Sequence, residues 1–124
     1  MSVLRWAERD HRAALPGITA SLAVGEHLSA ALFRLEPGAV VPEHGHDNEE
    51  FGQVISGSLE LTADGRTVTL HTGDGFLLPP GVRHGALAGA EGCELLECYA
   101  PPRDPVPPPT APSDRPIRPA GETA

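Results

Sequence analysis

Lysine is absent from the chain, and only five of its 124 residues are aromatic: one Trp, one Tyr and three Phe. All nine positive charges are therefore Arg, set against 17 acidic residues for a formal net charge of -8. Such a chain repels a phosphate backbone, and no basic stripe interrupts the acidic balance, so nucleic acid is not an expected partner. No apolar run reaches membrane-spanning length, and Arg5, Glu8, Arg9 and Asp10 introduce charge before an apolar signal core could form. The expectation is a cytoplasmic protein with no membrane partner. Cysteine is scarce as well. Cys93 and Cys98 are separated by an odd number of positions, which puts them on opposite faces of one strand and argues against a local disulfide. They read as small apolar thiols packed near a barrel wall.

Glycine and proline are plentiful, 14 of each. Helices tolerate so many breakers poorly, so the chain reads as a turn-rich all-β protein whose core is mostly Val, Leu, Ile and Ala. Its length has room for one domain. Residues 1–17 form an N-terminal arm or short strand around Trp6, closed by Pro16-Gly17. From Ile18, β-type runs alternate with turn clusters: Ile18 to Val24, Leu28 to Leu35, Ala39 to His46, then a last strand from Cys93 to Tyr99. Leu59 to Leu70 alternates apolar and polar residues on both sides of Asp64-Gly65, the pattern of a two-residue hairpin with one wet face. Strands at this density imply a closed barrel or sandwich over residues 18–100. Nine prolines lie between Pro101 and Pro119, so residues 101–124 are expected to be an extended or disordered Pro-rich tail.

Four residues stand out as metal ligands. His44 and His46, two apart on an extended strand, point to one side. A turn at Asp47-Asn48 brings the Glu50 carboxylate back over the same face, and Pro79-Pro80-Gly81 aims His84 into the barrel mouth. Three imidazoles and one carboxylate suit one divalent transition metal (Fe, Mn, Ni, Co or Zn) better than the all-oxygen shells that Ca and Mg prefer. Alternation turns Glu49 outward, and His11, His27 and His71 match no such pattern.

Gly38, His44, His46, Glu50 and Gly57 match every defining position of the first cupin motif. Gly73, Pro79, Gly81 and His84 match the second, which departs only where Ala88 replaces Asn. The chain thus resembles the cupin superfamily, which implies a double-stranded β-helix, or jelly-roll barrel, and a metal held by those four residues. Leu95 to Asp104 further resembles the closing strand of small cupins that linearise unsaturated uronates in pectin degradation. Similar monodomain cupins act as polyketide cyclases. That resemblance implies that Glu97, Tyr99 and Arg103 line the pocket opposite the metal. The family often has Gln at the position of Glu50 and Asp at that of Glu97.

A cupin fold alone names no reaction. The residues favour a metal-dependent, non-redox isomerase, lyase or cyclase acting on an oxygenated small molecule, a sugar acid or polyketide-like compound. Glu97 would move the proton, Tyr99 would stack on or hydrogen-bond the substrate, and Arg103 would clamp an anionic oxygen. Two alternatives stay open: an Fe- or Ni-dependent dioxygenase, told apart by oxygen uptake, and a non-catalytic metal- or ligand-binding cupin. Few aromatics and an unplaced arm lead us to expect a homodimer that covers its exposed strand edges.

Overall fold

The alternating segments become eight antiparallel strands in the computed structural model, which describes residues 1–105. They are β1 (Arg12–Leu15), β2 (Ile18–Val24), β3 (Ser29–Leu35), β4 (Val40–His44), β5 (Glu49–Ala63), β6 (Arg66–His71), β7 (Gly75–Leu78) and β8 (His84–Ala100). Hydrogen bonding runs in the order β1-β2-β3-β8-β5-β6, with β4 on β8 and β7 on β5. The architecture is a jelly-roll barrel. Asp64 (φ 57°) and Gly65 (φ 74°) are both left-handed and join β5 to β6 by the expected two-residue turn, in the register Ala63 to Arg66.

In place of short runs alone, the barrel is built on a central ribbon of two long strands. β5 has 15 residues and β8 has 17, paired from Glu49 opposite Ala100 to Ala63 opposite His84. At about 3.3 Å per residue a straight β5 would span about 50 Å. The ribbon bends instead, because Ile55 and Ser58 have no partner opposite them and residues 89–92 bulge out of β8. Gly57 (φ 83°) and Gly92 (φ 78°) occupy the left-handed region at this bend. The extra residues also reverse which positions face inward: Glu50 and Val54 are buried before the bulges, Leu59 and Leu61 after them.

The core that results is aliphatic, built on Ile18, Leu35, Val54, Leu59, Leu70 and Leu95, with Phe33 and Phe76 packed against it. Cys93 is buried and Cys98 half-buried, both as free thiols, and burial pushes the Cys93 thiol up to about 11. Within the expected arm, Trp6–Glu8 makes a short 3₁₀ turn and β1 joins the sheet against β2. Most of the Pro-rich tail, 106–124, lies outside the described residues. No helix among the described residues is long and apolar enough to cross a membrane.

Candidate metal centre

His44 ends β4 and His84 opens β8, and the two are register partners with ring centroids 4.2 Å apart. His46 follows past Gly45, its ring 5.8 Å from His44 and 5.3 Å from His84. All three are buried, and one ligand nitrogen from each lies within 4.8 Å of the others. Their orientation is set locally. Each Nδ1 meets a backbone carbonyl two residues away: Pro42 for His44 (2.8 Å), Asn48 for His46 (3.1 Å) and Val82 for His84 (2.9 Å). A carbonyl can only accept, so Nδ1 carries the proton and Nε2 turns its lone pair inward, the tautomer a metal requires. The turn ahead of His84 is tied to the same cluster by the Gly81 amide, which donates to the His46 carbonyl at 2.8 Å.

Glu50, near the start of β5 and only 1% exposed, approaches from the side. Its Oε1 lies 3.0 Å from His46 Nε2 and 3.4 Å from His84 Nε2. A carboxylate oxygen facing an imidazole lone pair at 3.0 Å needs a cation between or beside them, a proton or a metal. Glu50 Oε2 and His84 Nε2 are buried without a hydrogen-bond partner among the described residues. Unsatisfied buried acceptors of this kind are costly unless something electropositive meets them. The donor set therefore fits a divalent transition metal, as the spacing predicts. Glu49 is exposed on the other face, and His11, His27 and His71 are exposed outside the cluster.

Glu97 and Tyr99 project from the last turn of the ribbon toward these ligands. Tyr99 sits opposite both Glu50 and Ser29, is 3% exposed, and meets the His46 ring edge-on at 5.8 Å. Its hydroxyl donates to Glu97 Oε1. Glu97 lies between Gly52 and Ala31 in the sheet register. Arg103 belongs to the segment after β8, which doubles back so that its guanidinium carbon stands 5.6 Å from the Tyr99 ring centroid, within cation–π reach. The positive charge of Arg103 acts on His44, His84, Glu97 and Tyr99 alike. All seven residues singled out in the sequence thus lie around one space.

Their electrostatics are divided. Burial lowers His44 to about 4, so it is neutral and available. Burial pulls His84 down too, but the Glu50 carboxylate 3.4 Å away outweighs it and raises the net value. For Glu50, the hydrogen bond with His46 and the nearby His84 and Glu97 side chains overcome burial and hold the carboxylate well below its usual range. Glu97 moves the opposite way: burial and then the Glu50 charge push it well above that range. Tyr99 is raised by burial and by the neighbouring Glu97 and Glu50 carboxyls. Of the two carboxyls, Glu50 is thus biased toward the ionised form and Glu97 toward the protonated one. The carbonyls of Pro42, Asn48 and Val82, which orient the imidazoles, carry no signal in the sequence beyond lying two positions from each His.

The family model described as a cupin domain matches residues 31–99. The chain is 31% identical over 67 residues to the pectin degradation protein KdgF of Dickeya dadantii (strain 3937), covering 53% of this chain and 61% of that protein. It is 36% identical over 76 residues to the polyketide synthase CurC of Streptomyces cyaneus, covering 60% and 47%. The match thus spans about three fifths of the length of the first relative and about half of the second. The solved structure of KdgF from Halomonas sp. superposes with a TM-score of 0.79 at 29% identity, over 84% of this chain and 96% of that one.

Proposed function

We propose that this chain, which belongs to the cupin domain family, is a metal-dependent enzyme that isomerises, eliminates from or cyclises an oxygenated small molecule without net oxidation. The observation that carries the reading is the pairing of Glu97 with Tyr99 directly across from the three imidazoles and Glu50. Similarity to a pectin degradation protein and to a polyketide synthase supports a sugar acid or polyketide-like substrate. A divalent ion held by His44, His46, His84 and Glu50 would supply Lewis-acid polarisation of a substrate carbonyl or hydroxyl oxygen.

The chain's own residues do the rest. Tyr99 donates to Glu97 Oε1, so Oε2 is the oxygen that carries the proton. Burial and the Glu50 charge push the Glu97 carboxyl well above its usual range and so favour the protonated form, which suits Glu97 to act as a general acid toward a substrate oxygen or carbon. The Tyr99 hydroxyl holds the carboxyl in one orientation and can stabilise it once the proton has left. Arg103 clamps a substrate carboxylate or enolate oxygen, with two parallel N–H groups available for the purpose. The buried His46, His84 and Tyr99 walls exclude water from the transfer.

The test is metal analysis of protein purified without a metal-affinity tag, followed by turnover of 4,5-unsaturated uronates and of polyketide-like polycarbonyl compounds with and without air. Turnover that proceeds equally without oxygen supports the reading. Oxygen consumed in proportion to product replaces it with a dioxygenase.

A further inference from the structure

Arg103 lies beyond the barrel, and a side chain on a free segment would be a poor clamp, because ordering it would consume much of the binding energy it provides. Three tethers hold that segment. The Asn48 side-chain amide donates to the Pro101 carbonyl at 2.6 Å, and Arg12 on β1 pairs with the Asp104 carboxylate at 3.0 and 3.1 Å. The third tether is the most specific. The Arg103 amide donates to Ser29 Oγ at 2.9 Å, and the Ser29 hydroxyl donates back to the Arg103 carbonyl at 2.8 Å.

Ser29 starts β3, is 0% exposed, and is the register partner of Tyr99. One hydroxyl thus satisfies both main-chain groups of the same residue, next to the ring under the Arg103 guanidinium. A buried hydroxyl with both functions used in this way is a fixed point rather than a filler, and it costs stability if its partners are taken away. We infer that Ser29 is a positioning residue: it locks the Arg103 backbone at the barrel mouth and so gives the site its selectivity for substrates bearing a carboxylate. This rests on the reading of Arg103 as an anion clamp given above.

The experiment uses the full chain with the metal it carries on purification, and D-galacturonate as a stable carboxylate probe beside D-galactose, which lacks the carboxylate. Affinities are measured by calorimetry for wild type, Ser29→Ala, Arg103→Ala and the double variant. Hydrogen exchange of the Arg103 amide is followed in parallel. Loss of the lock should weaken galacturonate about tenfold, the loss expected for one charged hydrogen-bonding contact, and leave galactose unchanged. The double variant should bind no more weakly than Arg103→Ala, since Ser29 acts through Arg103. The Arg103 amide should exchange faster in Ser29→Ala while the Leu59 and Leu61 amides in the core stay protected. Ser29→Cys keeps the volume and provides the same comparison should the alanine variant not fold. Wild-type affinity for galacturonate in the Ser29 variants, with affinity lost in Arg103→Ala, overturns the role of Ser29 alone. Wild-type affinity in Arg103→Ala, or no binding of galacturonate by the wild type, overturns the clamp itself and the inference with it.

Discussion

Replacing Glu97 by Gln separates its chemistry from its structural part. Burial and the Glu50 charge oppose ionisation of Glu97 and push its carboxyl well above the usual range, favouring the neutral acid. A glutamine amide is close to an isostere of that neutral acid: its oxygen still accepts from Tyr99 and its NH2 can still face Glu50. Metal content and fold should therefore survive. Turnover should not, because an amide cannot transfer a proton in this pH range, and general acid–base assistance is worth about 10² to 10⁴ in rate, or about 3 to 5 kcal/mol of barrier. Stability carries a second signature. In metal-stripped protein the folded state keeps the Glu97 proton above about pH 4.3, where the unfolded chain loses it, so wild-type stability falls as pH rises through that range. Gln has nothing to titrate. Its Tm should exceed that of the wild type at pH 7, and the gap should close below about pH 4. The assay is thermal unfolding of chelator-treated protein from pH 3.5 to 8, beside kcat for the metal-loaded pair. Wild-type turnover in the Gln variant would refute the assignment of the acid, and a Tm gap independent of pH would refute the protonation state.

His84→Ala and His44→Ala should each lose most of their bound metal, read by elemental analysis, because each removes one of the three clustered imidazoles. Glu49→Ala, exposed on the opposite face, should retain it. In an NMR titration of metal-stripped protein, the His44 imidazole should titrate near pH 4 and His84 above 6.5; the reverse order would contradict the burial argument. Gly57→Ala should destabilise by at least the 1–2 kcal/mol or so of a left-handed non-glycine residue, and by more if the backbone cannot move, since its Cβ would meet the Gly92 carbonyl oxygen at 2.1 Å. An unchanged Tm would show that the bend is slack.

The candidate site was legible because most of its members sit in short, rule-bound stretches. His44 and His46 share a strand face, Pro79-Pro80-Gly81 announces the turn before His84, and Glu97 and Tyr99 are two apart on one strand. The Asp64-Gly65 hairpin was legible for the same reason, its chemistry being confined to two residues. The lengths of the strands were not. The β-type run that ends the barrel begins at Cys93 in the sequence, after Gly89-Ala90-Glu91-Gly92. In the structure those four residues are a bulge inside a ladder that starts at His84. Ile55 and Ser58 interrupt β5 without any change in composition, so only the partner strand reveals where alternation reverses. β1 shows the same limit: Arg-Ala-Ala-Leu has little β propensity, and its strand character comes from pairing with β2. Ser29 and Arg103 lie 74 positions apart, and a contact at that separation leaves no periodic trace.

The bend in the central ribbon is also what makes a site from these ligands. Along the β5–β8 ladder, Glu50 pairs with Tyr99 near one end and His84 with Ala63 at the other. A straight ladder of that length would separate those ends by about 40 Å or more. Yet Glu50 Oε1 and His84 Nε2 are 3.4 Å apart, so the ribbon has coiled back until its two ends meet. The ends carry Glu50, His84, Glu97 and Tyr99, while the middle carries Val54, Leu59 and Leu95 into the apolar core. Burial of the middle therefore fixes the geometry of the ends, and a cation bound across them would tie the coil shut. By mass action, such an ion favours the folded state in proportion to its concentration over its dissociation constant. The metal site and the fold are then one device. The same apolar packing that bends the ribbon brings the charged groups together, and a cation bound there would offset part of the cost of burying Glu50.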